Sequence, residues 1–161
     1  MIDALIAAAL FLGTLCAMEG AAYLTHKHVM HGWMWCWHRS HHAPRTGPFE
    51  RNDLFAACFA APSIALIWLG VHGGAWWALW VGLGMTGYGL VYALFHDGLV
   101  HQRFPWRPVA RGRLLKRLVQ AHRLHHAVHS KEGAVSFGFL WAPPVRALRA
   151  ELRARHGIEI P

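Results

Sequence analysis

The chain has 161 residues, a length that suits one domain over residues 1–161. Hydrophobic residues make up 55% of it, above the level of soluble domains, and the formal net charge is +8 with histidine neutral. In a soluble protein this charge would suggest nucleic acid. Here the basic residues flank long apolar segments, which indicates an orientation signal in a membrane and excludes nucleic acid as the expected partner.

Three apolar runs are long enough to cross a bilayer core of about 30 Å as helices. They cover about 4–23, 54–71 and 75–95. The first lacks a basic leading region and a convincing cleavage site, so we expect a retained transmembrane helix rather than a signal peptide. Only His72–Gly74 separates the second and third runs, which predicts an antiparallel hairpin. Four glycines predict close helix packing in the third run: Gly82, Gly84, Gly87 and Gly89.

The basic residues predict the topology. All 16 Lys and Arg residues lie between Lys27 and Arg51 or from Arg103 onwards. Three crossings put both groups on the same side of the membrane, and the positive-inside rule makes that side cytoplasmic. We therefore expect an integral membrane protein whose polar regions face the cytoplasm.

The region after the third run predicts a helical cap. Arg113–His126 has the pattern of a helix. The apolar stretch at about 134–142 is too short to span alone, so it is either a re-entrant or interfacial segment or part of a fourth spanning helix. A last helix carries Val145, Leu148 and Leu152 on one side, typical of a membrane-surface helix. The predicted fold is an all-α integral membrane protein with three to four transmembrane helices and a cytoplasmic, histidine-rich helical cap.

Fourteen histidines are present, and ten of them form four motifs in a repeated order, HxxxxH followed by HxxHH. The first round contains His26 and His31, then His38, His41 and His42; the second contains His96 and His101, then His122, His125 and His126. Each round starts just past the end of an apolar run. The predicted topology therefore brings all ten histidines to the cytoplasmic side.

Helix geometry supports metal binding by the HxxHH motifs. Residues three and four apart share a helix face, while adjacent residues point about 100° apart, so one motif can serve two neighbouring metals. A spacing of five puts the HxxxxH side chains about 140° apart on an ideal α-helix. Convergence then needs a distorted turn or ligation of different metals, and His28 with His31 is a better local pair by geometry.

Ten imidazoles fit two ions, and iron is favoured over zinc because no nucleophile motif accompanies them.

Four further residues are candidates for the surroundings of the metals. Asp97 lies four residues before His101 and can accept its second N–H, although a simple helix-end role is as well supported. Glu19 is an acid inside the first apolar run, which indicates a functional group or a hydrogen-bonded structural one. His28 and His129 are expected in outer or surface positions rather than as ligands.

Four segments resemble one known family. They are HKHVMHGWMWCWHRSHH (His26–His42), NDLFA (Asn52–Ala56), FHDGLVHQRFPWRPV (Phe95–Val109) and QAHRLHHAVHSKEGAVSFGFLWAPP (Gln120–Pro144). The chain is similar to the bacterial β-carotene hydroxylases of the membrane fatty acid hydroxylase superfamily. The histidine pattern alone is shared with desaturases and lipid hydroxylases, whereas HDGLVHQR and SFGFLWAPP are far more specific.

The resemblance implies an enzyme and its cofactors. Its pattern assigns the metal to the ten motif histidines: His26, His31, His38, His41, His42, His96, His101, His122, His125 and His126. It implies two non-haem iron ions, O2 as co-substrate, and electrons from a ferredoxin-like or NAD(P)H-linked donor. The reaction would hydroxylate C3 of the β-ionone rings, converting β-carotene from the bilayer to β-cryptoxanthin and zeaxanthin, and ketolated rings to astaxanthin-type products.

Two groups of alternatives compete with this function. The same scaffold serves other membrane di-iron lipid hydroxylases, desaturases and ketolases, which only the products would separate. A metal transporter would place polar ligands in mid-membrane, and the three runs hold almost none. A haem protein would use one or two histidines and leave the others unexplained.

Overall fold

The computed structural model describes residues 2–157, and all regular structure in this range is helical. Three helices are long and apolar enough to cross a membrane: Ile2–Trp33, Arg51–His72 and Trp76–Val100. The predicted class, an all-α integral membrane protein, is confirmed.

Six α-helices form the framework of the described chain. They are α1 (Ile2–Leu24), α2 (Trp35–His38), α3 (Leu54–His72), α4 (Trp76–Tyr92), α5 (Arg113–His125) and α6 (Val145–His156). Two π-helical segments, Thr25–Trp33 and Ala93–Val100, continue α1 and α4. The chain also forms short 3₁₀ turns at Arg39–His42 and Arg51–Asp53.

The central spanning helix is α4, which packs against both α1 and α3. A Cβ added to Gly82 would lie 2.9 Å from the carbonyl oxygen of Ser63 on α3. One added to Gly84 would lie 2.7 Å from the carbonyl oxygen of Phe11 on α1. These two glycines therefore allow the close approach on opposite sides of α4. Gly89 has open space around it, so its predicted packing role is wrong.

The outer faces of the spanning helices are apolar and exposed. Their large exposed side chains include Ile2, Leu5, Leu12, Ile64, Trp68 and Leu90. A helix that is apolar on all sides needs an apolar environment on its outer face as well. Lipid supplies that environment, so the three helices expose side chains that a soluble protein would bury.

The cap is built from α5 and α6, which pack against each other. Leu118 and Leu124 of α5 are buried, as are Leu148 and Leu152 of α6. The apolar side of α6 therefore faces the cap core, and its predicted role as a membrane-surface helix is wrong. The pattern could not show this, because the same amphipathic stripe fits lipid or a neighbouring helix.

The stretch from Ala134 to Trp141 is not helical, so the predicted alternative of a fourth spanning helix is wrong. It folds back to Glu19 near the end of α1. One Glu19 carboxylate oxygen accepts the backbone N–H groups of Phe139 and Leu140, both at 2.9 Å, and that of Trp141 at 3.2 Å. Successive backbone N–H groups of this kind form an anion-binding nest.

Replacing Glu19 by leucine should loosen the 134–141 loop. At least two partly buried backbone donors would lose their acceptor, at about 1–3 kcal/mol each. Tyr88→Phe is the matched control, because it removes only the 2.8 Å hydrogen bond from Tyr88 to the other Glu19 oxygen, at about 1 kcal/mol. Thermal unfolding of the detergent-solubilised variants measures both. Equal destabilisation by the two changes would contradict the role of Glu19 as the anchor of the loop.

Candidate metal centre

The π-helical segments bring the two histidines of each HxxxxH motif together. In a π-helix the backbone N–H bonds to the carbonyl five residues earlier, so residues i and i+5 lie one turn apart. The N–H of His101 donates to the carbonyl of His96 at 2.9 Å. The ring centroids of His96 and His101 lie 4.4 Å apart, and those of His26 and His31 lie 5.3 Å apart. The distorted turn demanded by the spacing of five is present at both motifs.

The first HxxHH motif divides its rings between two groups. His38 and His42, four residues apart, keep their Nε2 atoms 3.3 Å from each other. His41 points elsewhere, and its Nε2 lies 3.0 Å from Nε2 of His96. One side chain of the first round therefore joins the histidines of the second.

The second HxxHH motif divides in the same way. His122 and His126 keep their Nε2 atoms 3.0 Å apart. His125 points across to the first round, with its Nε2 3.1 Å from that of His31. The two rounds thus exchange one histidine each, and both HxxHH motifs link the two groups.

Ten Nε2 atoms consequently converge in two groups of five. The first histidine set comprises His26, His31, His38, His42 and His125, and the second comprises His41, His96, His101, His122 and His126. Eight of the ten residues are buried, and His101 and His126 are half-buried. His42, His125 and His126 also converge with one another, at the boundary between the sets.

Neutral acceptors orient the first set. Four of its Nδ1 atoms donate to backbone carbonyls: His26 to Phe137 (2.9 Å), His31 to Lys131 (2.9 Å), His42 to Val128 (2.8 Å) and His125 to Val135 (2.9 Å). The fifth, on His38, donates to Oδ1 of Asn52 at 2.7 Å. The segment 128–137 therefore aims four rings without contributing a ligand atom of its own.

Carboxylates orient part of the second set. Nδ1 of His41 donates to Oε2 of Glu50 at 3.0 Å, and Nδ1 of His96 donates to Oδ1 of Asp97 at 2.8 Å. Nδ1 of His122 is buried and has no hydrogen-bond partner within residues 2–157. Hydrogen bonds that imidazoles donate to carboxylates raise the basicity of the metal-binding ring nitrogen.

Arg103 holds these carboxylates in place. Its guanidinium binds both oxygens of Asp53 at 2.7 Å and lies 3.5 Å from Oδ1 of Asp97. Asp53 and Glu50 bond to each other's backbone in a capping box at the start of the second span. The hydrogen bonds that Arg103 donates to Asp53 raise the pKa of the guanidinium, so this cation stays charged.

The donor set fits metal ions. In His31 and His125, Nδ1 donates to a carbonyl, which can only accept, so each Nε2 carries a bare lone pair. These two lone pairs face each other at 3.1 Å and cannot form a hydrogen bond without an extra proton. A cation between them accepts both, and imidazole nitrogen suits iron, zinc, copper and nickel.

Burial keeps these rings neutral outside the membrane spans. Desolvation lowers the pKa of His38 to about 3, of His42 and His101 to about 4, and of His126 to about 2. It holds the pKa of His125 well below its usual range too. Neutral imidazole is the form that binds metal, so the site is preorganised for ligation at neutral pH.

Aromatic rings close one side of the centre. Phe139 stacks on His26 with centroids 5.3 Å apart and lies 5.4 Å from His96, so it touches both sets. Phe137 lies 5.3 Å from His31, and Tyr92 stacks on His96 at 4.5 Å. The loop that supplies the carbonyl acceptors therefore also supplies an apolar wall.

Two clefts reach the histidines from the outside. One, of about 330 Å³, is polar and includes His41, His42, His101, Arg123, His126 and His129 in its lining. The other, of about 470 Å³, lies beside the end of α1 and includes Tyr23, His31, Ala134, Val135, Phe137 and Trp141. Apolar side chains share the lining of the second cleft with the charged side chains of Lys27, Lys131, Glu132, Glu151 and Arg155.

The predicted outer residues have mixed outcomes. Asp97 accepts from its neighbour His96 rather than from His101, because the π-helical turn carries His101 past it. Glu19 touches no histidine of the two sets and instead binds Tyr88 and the 134–141 loop. His28 and His129 are exposed and line the second and first clefts respectively.

Sequence reasoning missed several supporting residues. Asn52 and Glu50 bond to His38 and His41, and Arg103 braces the carboxylates. Glu50 and Asn52 lie at the start of the second span, and Arg103 follows the third. Asn52 and Arg103 also lie in segments that carry the family resemblance, which was the clearest available signal. The backbone carbonyls of 128–137 carried no signal, since every residue has one.

Comparisons with known proteins agree with this histidine-rich site at the end of three membrane helices. Residues 11–143 match the fatty acid hydroxylase family. A β-carotene hydroxylase of Pantoea ananas is 60% identical over 144 residues, covering 89% of this chain and 82% of that protein. One from Paracoccus sp. (strain PC1) is 47% identical over 148 residues, covering 90% and 89%.

More distant relatives come from chloroplasts. The β-carotene 3-hydroxylase of Haematococcus lacustris is 44% identical over 143 residues, covering 83% of this chain and 42% of that longer protein. No solved structure matches the chain.

The lowered pKa values predict acid sensitivity of the metal-free protein. Histidine has a pKa near 6.5 when unfolded, and burial lowers it to about 4 or less in His38, His42, His101 and His126. Below pH 6.5 the unfolded chain binds more protons, so stability is full above that pH and falls as pH drops towards 4. Each histidine contributes a slope of about 1.4 kcal/mol per pH unit in this window. Thermal unfolding of chelator-treated protein between pH 4 and 8 measures the effect, and a flat profile would contradict it.

Proposed function

The chain belongs to the fatty acid hydroxylase family, among relatives named β-carotene hydroxylases, and on this premise we propose that it hydroxylates β-carotene at C3 of its β-ionone rings. The products are β-cryptoxanthin and then zeaxanthin, and ketolated rings are further substrates. The observation that carries the proposal is the pair of five-histidine sets at one end of three membrane helices, in a chain 60% identical to a β-carotene hydroxylase.

We propose that each histidine set holds one iron ion. The first set offers Nε2 atoms of His26, His31, His38, His42 and His125, and the second those of His41, His96, His101, His122 and His126. Bound iron would supply the redox chemistry that activates O2 for attack on an unactivated C–H bond. The residues hold the imidazoles neutral and oriented, and Phe137 and Phe139 keep water from one side of the centre.

The substrate reaches the centre from the bilayer in this proposal. A carotenoid is a long apolar molecule dissolved in lipid, and its end ring needs an apolar cleft beside a membrane helix. The cleft at the end of α1 has an apolar part that suits this ring, because Tyr23, Phe137 and Trp141 line it and His31 lies in its wall. Its volume of about 470 Å³ is in the range of small-molecule sites.

The electron donor is proposed to approach from the cytoplasm. All 16 Lys and Arg residues lie on the histidine side of the three spans, which the positive-inside rule places inside the cell, at a bacterial inner membrane. The polar cleft opens to that side, with Arg123 in its lining. A small acidic electron-transfer protein of the ferredoxin type has the complementary charge.

Pigment analysis tests the reaction. Expression in a bacterium that accumulates β-carotene should yield β-cryptoxanthin and zeaxanthin by chromatography. His41→Ala and His125→Ala should abolish both products and lower bound iron, because each removes the ring that one round of motifs contributes to the other set. His72→Ala is the control, since this exposed histidine ends α3 at the other end of the spans.

Other pigment results would redirect the proposal. Ketones or new double bonds in the carotenoid would indicate a ketolase or desaturase on the same scaffold. Unchanged β-carotene, with iron-loaded protein in the membrane, would indicate another lipid substrate.

Charge reversal tests the donor site. Arg123→Glu should raise the KM for reduced ferredoxin by about tenfold at low salt, because opposite charges accelerate association, while iron content stays at the parent level. Arg146→Glu makes the same charge change on α6, outside the lining of the polar cleft. Equal KM values for the two variants would contradict donor docking at this cleft.

A further inference from the structure

The two histidine sets differ in what lies behind them. All five Nδ1 atoms of the first set donate to neutral acceptors, which are four backbone carbonyls and the Asn52 amide. In the second set, His41 and His96 donate to the carboxylates of Glu50 and Asp97. The imidazole counts are equal, so this difference in charge is the main asymmetry between the sets.

Charge compensation favours the second set as a metal site. Five neutral imidazoles leave the full charge of a divalent cation uncompensated, and burial weakens solvent screening of that charge. A carboxylate behind an imidazole makes the ring a stronger donor and offsets part of the charge. The carboxylates of Glu50, Asp53 and Asp97 face one directly bonded guanidinium, that of Arg103. Arg45 acts on all three from further away, so three carboxylates face two cations. The local charge behind the second set therefore stays negative.

We propose that the two metal positions are unequal: the second histidine set binds its ion more tightly, and Glu50 and Asp97 are the positioning residues that cause the difference. The first set holds the more readily lost ion. This inference rests on the proposed two-metal site. It adds an order of loading and loss, with the second position filled first and emptied last.

The chain offers a matched pair of positions for a test. Glu50 and Asn52 are two residues apart, and each accepts from one ring of the same HxxHH motif, His41 or His38. Glu50→Gln removes a charge from behind the second set with little change in size. Asn52→Asp adds a charge behind the first set in the same way. The two changes should act on different ions and in opposite directions.

The experiment follows iron loss from the purified full-length protein. Graded chelator is added, and the iron retained per chain is measured by elemental analysis. The parent should lose its two ions in separate steps. In Glu50→Gln and Asp97→Asn, the more tightly bound ion should be lost at a chelator concentration about 10–100-fold lower than in the parent. Asn52→Asp should shift the weaker step towards higher chelator and merge the two.

Control variants distinguish a failure of this inference from misfolding and from a failure of the two-metal proposal. Glu50→Asp keeps the charge and should restore the tighter step, which a purely structural role would not do. Thermal unfolding of each variant identifies misfolded protein, and a misfolded Glu50→Gln leaves Asn52→Asp as the deciding variant. Loss of both ions in one step from the parent, or no response of the weaker step to Asn52→Asp, would overturn the inference while leaving the two-metal site intact. A parent protein without iron would overturn both.

Discussion

The structure depends on the inward orientation of ten imidazole Nε2 atoms. Wherever Nδ1 donates to a carbonyl, Nε2 has no proton, and in the pair His31 and His125 two such atoms lie 3.1 Å apart. Burial opposes protonation as a way to relieve this repulsion. A bound cation does relieve it, so metal binding and the stability of the cap are coupled. The helices, the π-helical turns and the loop all serve to keep these rings in place.

The supports come from parts of the chain that are far apart in sequence. Membrane helices α1 and α4 provide rigid bases, and their π-helical extensions turn pairs of histidines to one side. The segment 128–141 then crosses over the centre with carbonyls for the first set and a Phe139 ring for both sets. Glu19 fixes the far end of this segment from within the membrane helix. This loop is well defined because its backbone N–H groups donate to Glu19 and its carbonyl groups accept from the histidines.

The two histidine sets are nearly symmetric in their ligands, but the groups that support those ligands differ. Each set combines an HxxxxH pair, two rings of the adjoining HxxHH motif and one ring from the other round. Behind them, a carbonyl-rich loop serves one set and a carboxylate network with Arg103 serves the other. The centre also opens in two directions, towards a polar cleft and towards a partly apolar cleft beside α1. This arrangement suits the proposed reaction, in which the apolar substrate comes from lipid and the electrons come from a donor on the aqueous side.

The sequence by itself determined the properties that depend on local pattern. Apolar runs of about 20 residues predicted three spans, the basic residues predicted a common side, and the repeated spacings singled out the ten histidines. Only the tertiary structure decided which five rings converge, that Asp97 serves His96 instead of His101, that Glu19 anchors a loop, and that 134–141 is not helical. The choice of His96 by Asp97 depends on the π-helical turn. The other three depend on contacts between distant segments, such as His26 with Phe137 or Glu19 with Phe139. Hydrophobicity and spacing are properties of neighbouring residues, whereas the acceptor of a buried N–H is chosen by whatever packing brings within about 3 Å.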